Sequence, residues 1–268
     1  LARPMLPAWG WAAVAPAALF LVGPSVALTV AAFTHQGSIS LEGARLLFTN
    51  EYPIGSYTVG TAVSNSIQFG LFATVLALGL AVLALVTFAG AGRHLRVGEA
   101  ILLSPLGASP VLLGLGLLLT FDGSPLWDLR DDPLRIILVH TLVAFPFVTR
   151  ILAPTFAAIE PALREAARTL GASPLQTFLR VDLPLLRPAL RVGAIFAFAT
   201  SLGEFGGTLL LRRPEYTTLP LAIFDALGRP GAAYHAQAEV LTFVLLVVAT
   251  AAFWALELAP RRVGGDFA

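Results

Sequence analysis

The sequence contains no cysteine, which removes disulfides and thiolate metal sites. It contains no lysine either: all seventeen basic residues are arginine. Phosphate-loop lysines, Schiff bases and lysine general bases are therefore excluded. Charge is scarce as well. Charged residues make up 12% of the chain, against roughly 25% in an ordinary soluble domain. The formal net charge of +1 argues against a nucleic-acid partner. His35, His94, His140 and His235 are scattered and form no metal-ligand spacing. The acidic stretch 122–132 lacks the twelve-residue calcium-loop pattern and reads as a solvated loop. No cofactor is expected in the chain itself.

What is present is apolar. Hydrophobic residues reach 57%, more than a soluble fold can hide, so the bilayer must act as solvent. Six apolar runs, at about 9–33, 61–89, 99–121, 134–156, 192–211 and 238–258, each approach the ~20 residues needed to span a membrane. Backbone in hydrocarbon must bond to itself, so these runs predict helices. The alternating segments of an outer-membrane barrel are absent. The expected fold is all-α: one polytopic membrane domain over 1–268, with six spans.

Arginine placement sets the orientation. With the N-terminus in the cytoplasm, Arg3, Arg93, Arg96, Arg150, Arg164, Arg168, Arg180, Arg187, Arg191, Arg261 and Arg262 lie inside. Arg45, Arg130, Arg135, Arg212, Arg213 and Arg229 lie outside, together with Glu42, Glu51, Asp122, Asp128, Asp131, Asp132, Glu215 and Asp225. Both termini are then cytoplasmic, and so is the loop 157–191.

That loop is the most polar stretch of the chain. Pro161 suits a first helical turn, and the residues after it are strong helix formers. Gly171 stops this helix. Ser173-Pro174 offers a fresh cap and first turn, for a second helix over 174–182 that ends at Leu183-Pro184. Such a loop is either a connector on the membrane surface or a docking element, in which Ala166 and Ala167 admit close approach.

Glu165-Ala166-Ala167, three residues, Gly171, nine residues, Val181, one residue, Leu183-Pro184 resembles the EAA motif of ABC-importer permease subunits. Val181 in place of Ile is the one departure. The resemblance implies a type I permease fold. It also implies that Glu165, Ala166, Ala167, Gly171, Leu183 and Pro184 belong to a coupling helix that seats in a partner ATPase dimer. ATP and magnesium would be bound by that partner, since this chain has no phosphate-loop motif. Further implied partners are a second permease subunit or half and an extracytoplasmic substrate-binding protein, in a bacterial plasma membrane.

Beyond the loop, the Ser201-Leu202-Gly203-Glu204-Phe205-Gly206 segment resembles iron(III)-, thiamine-, sulfate- and molybdate-type permeases alike. The Thr218-Leu219-Pro220 and Gly228-Arg229-Pro230-Gly231-Ala232 segments look closer to the iron(III) and thiamine types. Those cargoes are therefore expected, with sulfate or molybdate as the alternative. Permeases of the first kind are often two fused halves, and a start at Leu1 rather than Met fits the C-terminal half of such a fusion.

Ser201, Gly203, Glu204 and Gly206 are the candidate path residues. Glu204 lies about 18 Å beyond Val192 if the run is one helix. A carboxylate at that depth either faces a watery path or is hydrogen-bonded inside the bundle. Gly203 and Gly207 form a spacing that permits close helix contact. Pro105, Gly107 and Pro110 mark the third run for a bend, and Pro146 the fourth. His140 reads as the donor or acceptor of an interhelical hydrogen bond. An ion-coupled secondary transporter is the distant alternative, since it would want two related halves and several midplane polar ligands.

Overall fold

The structure is a computed structural model that describes residues 8–35, 38–49, 53–88, 98, 102–123, 128–129 and 131–258. Arg3, Arg93, Arg96, Arg130, Arg261 and Arg262, used above for orientation, lie outside the described residues, as do both ends of the chain.

Eleven helices are named here in chain order. They are α1 Ala8–Ala32, α2 Glu42–Thr49, α3 Val59–Phe88, α4 Pro110–Phe121, α5 Leu134–Ala157 and α6 Pro161–Thr169. After them come α7 Pro174–Thr177, α8 Leu183–Leu202, α9 Gly206–Leu211, α10 Leu219–Leu227 and α11 Ala232–Glu257. A two-residue hairpin, β1 Thr34–His35 against β2 Ser38–Ile39, follows α1. Among the described residues, five helical stretches are long and apolar enough to cross a membrane: 14–32, 59–87, 134–157, 174–202 and 232–255. Four of the expected apolar runs coincide with helices to within a few residues at each end, except that the helix of the sixth starts about two turns earlier than 238. Pro146 and Pro154 lie inside α5 without ending it.

The third and fifth runs differ from the expectation of single spans. The third run contains a 3-10 turn, Ser104–Gly107, before α4 begins at Pro110. Two prolines five residues apart each withhold an amide and obstruct the turn before them, and the run breaks between them at Ala108-Ser109. The Ser109 side chain caps α4 by accepting from the Leu112 amide. At twelve residues α4 is about 18 Å long, too short to span alone. The fifth run begins earlier than expected, at Leu183 inside the loop 157–191, and its helix α8 stops at Leu202. After a break at 203–205, the run continues as the short helix α9.

The core is a three-helix packing of α3, α5 and α8. Ala77, Ala81 and Ala84 of α3 meet Ala144, Phe145, Val148 and Leu152 of α5 and Ala189 and Ala197 of α8. Small residues let these backbones approach, which is how apolar helices associate where lipid competes equally for large side chains. Gly70 faces the Phe198 ring, and Gly193 faces Leu152. A second cluster joins Ala32, Leu47, Ile54 and Ala62 to Leu219, Ala222 and Ala226 of α10 and Val240 and Leu241 of α11. α10 buries Leu219, Leu221, Ala222 and Ala226 against the bundle. Alpha-helix α1 packs on α11, with Phe33 edge-on to Phe243 at 4.9 Å.

Candidate functional site

The motif loop at one end of the bundle is built by two caps. Gly171 has φ +82°, a left-handed conformation that glycine adopts without steric cost. The Gly171 amide donates to Arg168 O and the Ala172 amide to Ala167 O, which together form a Schellman closure of α6. Ser173 then opens α7 with a capping box. Its side chain accepts from the Gln176 amide, and the Gln176 side chain accepts from the Ser173 amide. The expected helix, glycine break, helix pattern is present.

The second helix does not end at Leu183-Pro184. It passes through a π turn, Phe178–Asp182, into α8. The Leu183 amide bonds to Phe178 O, five residues back. Proline at position 184 has no amide and would crowd the carbonyl four residues before it in a regular helix. The wider π turn relieves that crowding, and Pro184 falls in the first turn of α8, where its missing donor costs little.

Glu165, Ala166 and Gly171 are exposed on this loop, while Ala167, Leu183 and Pro184 are half-buried. Leu163, Leu170, Leu175 and Leu179 are also exposed, at 45%, 88%, 66% and 48%, so the loop presents apolar side chains beside its charges. A side chain absent from the motif holds α6 in place. Arg164 Nε donates to Asp182 Oδ1 at 2.7 Å, and its guanidinium lies 4.8 Å from the centre of the Phe156 ring.

The second site lies at the far end of α8, about 30 Å away along a helix of this length. Glu204 sits in the break between α8 and α9, with its side chain almost fully buried. Its Oε1 accepts from the Gly207 amide at 2.8 Å and its Oε2 from the Thr208 amide at 3.0 Å. The Thr208 hydroxyl also donates to Oε2. The carboxylate therefore satisfies the free donors that begin a helix. His140 of α5 lies beneath it, with Nε2 2.8 Å from Thr208 Oγ1 and Nδ1 2.5 Å from Ser201 Oγ. The Thr208 proton goes to Glu204, so His140 Nε2 donates to Thr208 Oγ1. His140 thus bridges both sides of the break, the interhelical role expected for it.

Of the four candidate path residues, the structure brings Ser201 and Glu204 together on His140. Gly206 lies instead against Pro110 and Val111 of α4, and Gly203 is exposed. The close crossing belongs to Gly206 and Gly207. A Cβ on Gly207 would lie 2.8 Å from Pro110 O, and one on Gly114 would lie 2.9 Å from Gly207 Cα. Gly203 makes no such approach, so the expected Gly203–Gly207 pair is not the contact surface.

Beyond the break, Arg212 makes a two-pronged bond to Asp225, at 2.9 and 3.1 Å. Tyr57 donates to the same carboxylate at 3.1 Å, and Arg229 donates to Pro53 O. Burial, and then the Asp225 charge, push the Tyr57 phenol well above its ordinary range. Sequence reasoning missed this network, Arg164–Asp182 and Thr208. Only Thr208 left a local signal, one helical turn after Glu204.

Residues 102–265 match the family described as the binding-protein-dependent transport system inner membrane component, and the chain belongs to that family. It is thus a permease of the ABC-importer kind, an inner-membrane protein and not itself the ATPase. The "Molybdenum transport system permease protein ModB" of Mycobacterium tuberculosis is 33% identical over 221 residues, 77% of this chain and 81% of that protein. The "Putative 2-aminoethylphosphonate transport system permease protein PhnV" of Salmonella typhimurium is 30% identical over 160 residues, 60% of this chain. The match spans 59% of the length of that Salmonella relative. A solved bacterial ABC transporter "involved in the import of the acidic polysaccharide alginate" shares the fold, with a TM-score of 0.69 at 18% identity over 93% of this chain and 96% of its own.

Proposed function

We propose that this chain lines one half of the conduit of an ATP-driven importer and is worked through the loop 157–191. The observation that carries the reading is the exposed, doubly capped loop of α6 and α7, which passes without interruption into the membrane helix α8. Glu165, Ala166, Ala167 and Gly171 form the face offered to an ATPase dimer, and Leu183 and Pro184 carry its movement into α8. A second permease unit completes the conduit, and an extracytoplasmic binding protein delivers the cargo. In this reading the domain is one multi-span unit with both ends in the cytoplasm. Ser201 and Glu204 act by holding the α8–α9 break, and Gly203 and Gly206 by their small size.

For the cargo we favour a tetrahedral oxyanion such as molybdate, sulfate or an organophosphonate over iron(III) or thiamine. Support comes from the names of the molybdenum and 2-aminoethylphosphonate relatives, both similar at about 30% identity. The Ser201–Gly206 resemblance fits either group. The test is ATPase stimulation in lipid nanodiscs holding the native permease and its cognate ATPase. Binding proteins loaded with molybdate, sulfate, 2-aminoethylphosphonate, iron(III) or thiamine are added in turn. Stimulation by an oxyanion-loaded protein is the expected result. Stimulation by iron(III) or thiamine alone overturns the cargo reading, and failure of any ATPase to associate overturns the coupling reading.

A further inference from the structure

We infer that Arg164 and Asp182 form a strut that transmits movement of α6 to α8, making Arg164 a positioning residue for transport. The inference rests on the coupling role proposed for the loop. Neither residue is among the specified positions of the motif.

Helix α6 is nine residues long and touches the body of the protein sparingly, since none of its residues is buried. An isolated helix of that length is marginal in water. The glycine break at 170–172 links it to α7, but a glycine hinge transmits a push poorly, because it can rotate instead. A stiff link must come from a side chain. Arg164 provides one in the middle of α6. Its Nε lies 2.7 Å from Asp182 Oδ1, across eighteen residues of sequence.

The surroundings stiffen this link further. The Asp182 side chain is 9% exposed and that of Arg164 22%, so solvent screens the pair less than it screens a surface ion pair. The guanidinium lies over the Phe156 ring of α5, which fixes its plane. Phe156 itself belongs to a buried cluster with Ile159 and with Leu186 of α8. Three elements therefore meet at one guanidinium: the loop helix α6, the end of α5 and the foot of α8. The π turn is part of the device. Asp182 is its last residue and is followed directly by Leu183 of α8, so a pull on the carboxylate acts on the helix end itself. Such turns recur at functional sites in helices.

The geometry favours a mechanical role over a surface one. A residue that met the ATPase directly would be exposed, as Glu165 is one position later. Arg164 points the other way, into the bundle.

The experiment uses the full transporter in proteoliposomes, with its ATPase and loaded binding protein. It reads three quantities: co-purification of the ATPase, thermal stability, and cargo moved per ATP hydrolysed. Arg164→Gln and Asp182→Asn are each expected to keep the ATPase bound. Each should lower cargo moved per ATP by about tenfold, within the usual span of coupling between sites. The double variant is expected to lose no more than either single, since both changes break one link. Arg164→Lys keeps the charge but not the flat, fixed donor, and an intermediate loss is expected.

An unchanged transport ratio in both single variants overturns the strut. So does an additive loss in the double variant, or loss of ATPase binding in both Arg164→Gln and Arg164→Lys. Glu165→Lys separates this idea from the one beneath it. Normal ATPase association and transport in that variant sink the docking reading, whatever Arg164→Gln does. Loss of association there, with association kept in Arg164→Gln, supports both.

Discussion

His140 Nε2 lies 3.5 Å from Glu204 Oε2, in a region where both side chains are nearly closed to solvent. One residue comes from the middle of a long helix, and the other from a gap between two helices. Their contact, through Thr208, closes the hydrogen bonding of the gap. A broken helix inside a membrane is tolerated only where its freed amides find partners, and here a carboxylate supplies two of them.

Glu204→Gln keeps the shape but places an amide nitrogen where an acceptor is needed. At least one of the three donors, the Gly207 amide, the Thr208 amide or the Thr208 hydroxyl, is left unmatched in a buried site. A loss of about 2 kcal/mol is expected, seen as a lower melting temperature of the detergent-solubilised protein. If transport falls while the melting temperature holds, Glu204 faces the cargo and the packing role is wrong.

Gly207→Ala places a methyl group 2.8 Å from Pro110 O and closer still to the Val139 side chain. The carbonyl belongs to a helix start and cannot swing aside. Destabilisation of about 1–3 kcal/mol is expected. Gly203→Ala is the control, because its nearest neighbours are 3.8 Å away or more. Equal melting temperatures for the two variants would refute the close crossing of α4 and α9.

Gly171→Ala forces a Cβ into a left-handed backbone and is expected to cost about 1 kcal/mol of local stability. Gly171→Pro goes further, since it removes the amide that bonds Arg168 O and demands a negative φ. Loss of ATPase association with intact membrane helices is the expected outcome, read by pull-down and circular dichroism. Normal association in the proline variant would contradict the capped loop as the docking face.

Tyr57 gives a test in pH. Its raised pKa means that the folded protein favours the protonated phenol. The stability this contributes is fully present below the ordinary phenol value of 10.0, and is lost as pH climbs through the higher folded value. Asp225→Asn removes the charge that opposes ionisation, so Tyr57 should titrate at lower pH while burial still holds it up. The phenolate absorbance difference between each protein and its Tyr57→Phe version reads this directly. No downward movement would mean that Asp225 does not act on Tyr57.

Much of the membrane architecture was legible, because each span must be a long apolar run and little else in a sequence looks alike. The loop was legible too, since Gly171 and Ser173-Pro174 carry local stop and start chemistry. The breaks were harder to place. Pro105 and Pro110 announced the first, while 203–205 holds no proline, and Glu204 reads equally as a path residue or as a carboxylate hydrogen-bonded inside the bundle. The π turn was hidden because Pro184, which favours it, reads equally as the end of a helix. Arg164–Asp182 and Arg212–Asp225 were invisible for a different reason. Their pairing is set by how distant segments fold back on each other, not by spacing along a helix.

The π turn at 178–182 also gives the protein an adjustable index. Removing one residue from it would restore a regular helix and rotate everything after it by about 100° relative to the loop. Gly193, Ser201 and the α9 start would then leave their seats against α3, α5 and α4 together. The turn acts like the offset between a key's bow and its bit: the grip and the teeth can each be right, and the key still fails if the shaft is cut one notch short.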